Sequence, residues 1–155
     1  MAPLEFSTTI LKTRISEFDF KEPPVDAGDL VISLYEFMLK NTGIGLAANQ
    51  VGLPYRCFVM YPNMAIFNPR VIMYSQETTM MDEYCLSYPG KKVRIKRSSD
   101  IFVTYQDVYG QHVSRAFDGI HARVFQHEMG HLNGIVHLDK ASRANIIEAG
   151  KVVYH

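Results

Sequence analysis

The sequence predicts an α+β domain in which mostly antiparallel β-sheets surround one central α-helix. Three observations carry this expectation. From Tyr55 to Phe117 the chain is a series of apolar runs cut by turn residues, the pattern of strands. Before them, Leu30, Leu34, Phe37 and Met38 recur at helical spacing, and after them Ile120, Val124 and Phe125 do the same. At 155 residues, 47% hydrophobic and 21% charged, the chain is long enough to bury a core and is expected as a single domain over 1–155.

In chain order, Pro23-Pro24 blocks a helix, and Asp26 or Asp29 can cap the next one, which should end near Gly43. Residues 43–50, GIGLAANQ, are expected as a tight loop whose small residues let the backbone approach a ligand or another element closely. Strands are expected at 55–61 and 66–73, separated by Pro62-Asn63, with Asn68-Pro69 marking an irregularity in the second. Lys91, Lys92, Arg94, Lys96 and Arg97 form a basic cluster. Its alternation with Val93 and Ile95 fits the solvated face of a strand better than a phosphate track.

Ile101, Val103 and Tyr105 share one face of a strand over 101–106, and Asp107-Val108-Tyr109-Gly110 is the turn into a partner at 112–117. Asp118 is placed to cap the second long helix and Asn133-Gly134 to stop it. A short helix near 141–149 and a strand at 151–154 complete the expected order.

Formal net charge is zero, which argues against nucleic acid as a partner. No apolar run approaches the ~20 residues that cross a bilayer, so no membrane partner is expected. The N-terminus lacks the charged start and apolar core of a secretion signal. Cytoplasmic localisation is therefore expected, with Cys57 and Cys85 as thiols rather than a disulfide. Cys57 reads as a small core residue of a buried strand.

The chemistry concentrates in His127-Glu128-Met129-Gly130-His131. Two histidines at i and i+4 of a helix present their rings to one point, the spacing a divalent metal needs. Glu128 can lean over the same point and manage the protons of a water there. A catalytic site of this kind needs a third protein ligand and an open position. Downstream, His137 and Glu148 are candidates; upstream, Glu83-Tyr84-Cys85-Leu86-Ser87 offers a thiolate, an excellent metal ligand.

Three segments taken together resemble the peptide deformylase family: GIGLAANQ at 43–50, EYCLS at 83–87 and QHEMGHLNG at 126–134. They stand in the family's order and spacing, and the likeness runs along nearly the whole chain. The resemblance implies that family's fold and the removal of the N-formyl group from formyl-methionine at the start of nascent polypeptides. It implies Cys85, His127 and His131 as ligands of one divalent metal, Fe(II) in vivo, with Ni(II), Co(II) or Zn(II) possible in a purified sample. It implies Glu128 as the proton carrier, with the Gln50 amide and the Leu86 backbone N–H at the oxyanion. It also implies Ile44, Gly45, Met81, Glu83, Tyr84 and Val124 as substrate-binding residues. A non-catalytic metal-containing domain that binds formyl-peptides is the alternative, and a metalloprotease a more distant one.

Two residues depart from the family's usual pattern. Tyr84 stands where glycine is usual and could narrow the site mouth or add a stacking surface. Gly130 stands where aspartate is usual; this leaves Arg97 as the expected residue without its partner and adds a helix-interior glycine, at ~1 kcal/mol against alanine. The segment after His131 is short beside bacterial members with a long terminal helix. Proximity to the ribosome is implied, direct docking is not, and the compactness is of a kind also met in phages.

Overall fold

The computed structural model describes residues 3–136. The helix expected near 141–149, the strand at 151–154, His137 and Glu148 lie outside the described residues. The first helix, α1 (Ala27–Lys40), starts where Asp26 accepts a hydrogen bond from the Asp29 N–H at 2.9 Å. Leu30, Leu34 and Met38 are its buried stripe, each contributing roughly 1.5–3 kcal/mol on burial. It ends at Asn41, whose side-chain amide donates to the Phe37 carbonyl at 2.8 Å.

The GIGLAANQ stretch is not a loop. Gly45–Ala47 forms a short strand, β1, followed by a single 3-10 turn over Ala48–Val51. Small side chains hide the strand from any periodicity argument. Residues 45–51 are all buried, however, so their backbone groups need partners. β2 (Cys57–Met60) supplies them, pairing antiparallel with Gly45 opposite Met60.

A five-stranded antiparallel sheet has the order β1-β2-β3-β6-β7, with β3 at Met64–Tyr74, β6 at Asp100–Gln106 and β7 at His112–Asp118. The irregularity expected at Asn68-Pro69 is a register shift between Phe67 and Arg70, with Asn68 in the left-handed region at φ 49°. Asn68 is one of the residue types that tolerate this conformation. A separate hairpin pairs β4 (Thr78–Cys85) with β5 (Tyr88–Ser98). In β5, Val93 and Ile95 are buried while Arg94 and Lys96 face solvent, as the alternation predicts.

The second helix, α2 (Gly119–Leu132), buries Ala122, Phe125 and Leu132 against the five-stranded sheet, where Phe125 stacks edge-on against Phe58 with ring centroids 5.1 Å apart. Asp118 occupies its N-cap position, but its side chain makes no capping bond. Ile120 is not in the buried face; it is 47% exposed. At the far end Gly134, at φ 78°, turns the chain away. No helix among the described residues is long and apolar enough to cross a membrane.

Candidate metal centre

Three donor side chains converge where the end of β4 meets α2. The ligand atoms of Cys85, His127 and His131 all lie within 4.8 Å of one another, and the Cys85 Sγ is 3.2 Å from the His131 Nε2. All three residues are buried. The one-turn spacing on α2 brings the two imidazole centroids to 4.9 Å. Cys85 arrives from the last position of β4, at a register shift just before the Leu86-Ser87 turn.

Glu83, on the same strand, fixes the orientation of the first imidazole. Its Oε1 accepts from the His127 Nδ1 at 2.8 Å, which turns Nε2 toward the donor cluster. The same carboxylate accepts from Arg97 Nη2 at 2.8 Å, from Arg97 Nε, and from Arg123 Nη1 at 2.7 Å. Burial alone would raise its pKa, but hydrogen bonds from Arg97 and His127 outweigh that and hold it well below the usual carboxylate range. The expectation that Arg97 lacks a partner is therefore corrected. The partner comes from β4, across the hairpin, and a second arginine of α2 joins it.

The surroundings favour positive charge at His127. Burial would lower its pKa, yet hydrogen bonds with Cys85 and Glu83 raise it to about 10. A divalent cation meets the same environment that holds this proton, and a thiolate with two imidazoles is a donor set that suits one. The residues present fit the metal that the sequence implies.

Glu128 stands beside the cluster, its Oε2 4.0 Å from the His127 Nε2. Its Oε1 is buried with no hydrogen-bond partner among the described residues. Burial pushes its pKa up to about 7, a rise that the His127 charge opposes. Gly45 makes room for it. The backbone of β1 passes so close that a β-carbon at Gly45 would stand 2.6 Å from the Glu128 Oε2 and 2.8 Å from Val124 Cγ1. Gly43 is required for a similar reason, because a β-carbon there would collide with the Leu86 side chain.

Gln50 is anchored at both ends of its amide. The Oε1 accepts from the Ala47 N–H at 2.9 Å, and the Nε2 donates to the Ser87 hydroxyl at 3.0 Å and lies 3.6 Å from the Cys85 sulfur. Its neighbour Asn49 donates to the His131 carbonyl at 2.7 Å, tying the 3-10 turn to the metal helix.

An open cleft of about 500 Å³ reaches this cluster. Ile44, Gly45, Glu83, Tyr84, Leu86 and Val124 line it, together with Cys85, His127 and Glu128. Met81 is not among its lining residues and pairs across the hairpin with Ile95. Tyr84 is 68% exposed and lines the cleft with the half-exposed Ile44 and Ile120. Arg123, Ser87, Asn49 and Ile120 escaped the sequence reading. Of these, Ser87 and Asn49 sat in motifs that could have flagged them. Gly130 lies in the last turn of α2 rather than its middle, and its carbonyl accepts from the Ile135 N–H at 2.8 Å.

The polypeptide deformylase family model matches residues 4–146. A peptide deformylase of Thermotoga petrophila is 43% identical over 114 residues, covering 72% of this chain and 70% of that one. The chloroplastic/mitochondrial peptide deformylase 1B of Arabidopsis thaliana is 30% identical over 145 residues, 88% of this chain and 52% of its own. Among solved structures, the Thermotoga maritima peptide deformylase superposes with a TM-score of 0.82 at 34% identity, covering 92% of this chain and 99% of that one. A plant peptide deformylase reaches 0.89 at 28% identity, over 97% and 86%.

Proposed function

We propose, on the premise that this chain belongs to the polypeptide deformylase family, that Cys85, His127 and His131 hold its divalent ion and that Glu128 carries its protons. The reaction is hydrolytic removal of the N-formyl group from nascent polypeptides, with release of formate. The observation that carries the site assignment is the convergence of three buried donor atoms within 4.8 Å, with the Glu128 carboxylate alongside.

When bound, the ion supplies Lewis acidity at the formyl carbonyl. The chain's own residues do the rest. Glu128 accepts a proton from the attacking water and returns it to the departing nitrogen, a task suited to a carboxylate whose pKa burial brings near neutrality. Gln50, with Oε1 pinned by Ala47, offers its Nε2 to the developing oxyanion, and the Leu86 N–H is the second donor. Glu83 acts on the reaction through His127, whose ring it orients. Ile44, Gly45 and Val124 receive the methionine end, Tyr84 borders the substrate residues beyond that methionine, and Met81 does not line the cleft.

Fe(II) is the metal proposed in vivo on the family resemblance alone, since a thiolate with two imidazoles suits zinc equally well. The proposed setting is a cytoplasm, bacterial or that of a phage's host, in the neighbourhood of translating ribosomes.

The test is formate release from formyl-Met-Ala-Ser by Fe(II) or Ni(II) protein prepared without oxygen. Glu128→Ala should keep the metal and lose the activity. Full metal retention in Cys85→Ala would overturn the ligand set.

A further inference from the structure

A second cleft, of about 450 Å³, lies at the C-terminal end of α2 and shares no residue with the metal centre. Arg14, Glu17, Arg56, Arg70, Met129 and Asn133 are among its lining residues. Arg56 is 5% exposed. Its Nη1 donates to the carbonyls of Ile15 at 3.1 Å and Leu132 at 3.0 Å, and its Nη2 to the Asn133 Oδ1 at 2.8 Å. Those bonds account for a buried cation at a helix C-terminus, where carbonyls need donors. They do not account for the company it keeps.

Arg14 donates to the same Asn133 oxygen at 3.1 Å, so two guanidinium groups meet on one neutral acceptor. Arg70 completes the set. Its ion pair with Glu17, at 3.3 Å, is largely in solvent and adds little stability. Among the described residues that line the cleft, Glu17 is the sole carboxylate facing three arginines. The Arg56 pKa is lowered first by burial and then by the Arg14 charge; the Glu17 charge opposes this, and Arg70 adds a smaller lowering. Guanidinium groups forced together around a concave space recognise planar or tetrahedral oxyanions through paired N–H donors.

We propose that this cleft binds a tetrahedral oxyanion of the phosphate class between Arg14, Arg56 and Arg70. Such an ion bridges the N-terminal arm, β3 and the end of the helix that carries His127 and His131. It relieves repulsion that the protein alone leaves standing.

The experiment is a titration of the metal-loaded protein with inorganic phosphate, against chloride at matched ionic strength. It is read by NMR at the arginine Nε–H and Asn133 side-chain amide signals. Thermal shift is unsuitable, because phosphate stabilises folded proteins by exclusion from their surface. The expected result is saturable movement of those signals, with binding about tenfold weaker or more in the Arg14→Gln/Arg70→Gln double variant. Both substitutions sit at exposed positions, so the fold and the deformylase activity should survive them. Any of three outcomes overturns the proposal: no saturation by about 50 mM phosphate, wild-type binding in the double variant, or perturbation confined to the metal ligands.

Discussion

The backbone of Gly45 lies against the carboxylate of Glu128, leaving no room for a β-carbon between them. One residue of an edge strand thus sets where the proposed proton carrier can stand. Gly45→Ala should push Glu128 away from His127 and lower kcat/KM by about 10²-fold, the scale of a 1 Å misplacement. Metal content should not change, since the atoms nearest an added β-carbon belong to Glu128 and Val124, neither of them a proposed ligand. Steady-state kinetics paired with metal analysis checks this, and wild-type kcat/KM in the alanine variant would show that Glu128 tolerates the shift.

Glu83 holds two arginines and one imidazole of the proposed ligand set, so Glu83→Gln tests the support of the centre. Loss of a partner that orients a metal-bound histidine typically weakens metal affinity by ~10–100-fold. Arg97 and Arg123 would also be left buried without their anion, which costs about 3–5 kcal/mol. Competition with a chelator measures the first effect and denaturant unfolding the second. A variant that holds metal as tightly as wild type would mean the imidazole needs no such anchor.

Much of this centre was legible because its logic is local. The i, i+4 spacing on α2 is a property of any helix, and the cysteine stands in a short motif. The Glu83 network was misread because its members are 14, 40 and 44 residues distant in sequence and meet only through hairpin register and helix packing. The same limit explains β1. A glycine- and alanine-rich strand has no side-chain alternation, and only its pairing with β2 reveals it. Ile120 has a different cause: helical spacing grouped it with Val124 and Phe125, which pack in the core, but Ile120 itself is half-exposed in the cleft.

The two thiols should behave differently toward a thiol reagent. Burial raises the pKa of Cys57 far above its usual value, and the core around Leu30, Leu34 and Phe67 encloses it, so its thiol stays protonated and out of reach. Cys85 is also buried, but it lines the open cleft, so a metal held in the proposed site is expected to be its main shield from a reagent. The metal-loaded protein should show no reactive thiol, chelation should expose one, and denaturation should expose both. A reactive thiol in the loaded protein that persists in Cys85→Ser would contradict the burial argument.

Asn68 pins the N-terminal arm to the sheet, and the stability of that junction can be measured directly. Its Oδ1 accepts from the Phe18 N–H at 2.7 Å, while Nδ2 donates to the Phe18 carbonyl at 2.9 Å and to Gln106 Oε1 at 2.7 Å. Alanine would strand both buried backbone groups of Phe18, at about 1–3 kcal/mol for each group left unmade. It would also meet the left-handed backbone at φ 49° at a further cost of ~1–2 kcal/mol. Since the arm can relax toward water, the sum is an upper bound, and Asn68→Ala should destabilise by about 2–4 kcal/mol. Asn68→Asp keeps the acceptor and tolerates the backbone but loses both donor bonds, so it should fall between wild type and alanine. Urea unfolding of the metal-loaded forms, with the midpoint falling at unchanged slope, is the measurement. An alanine variant within ~0.5 kcal/mol of wild type would show that the arm is held elsewhere.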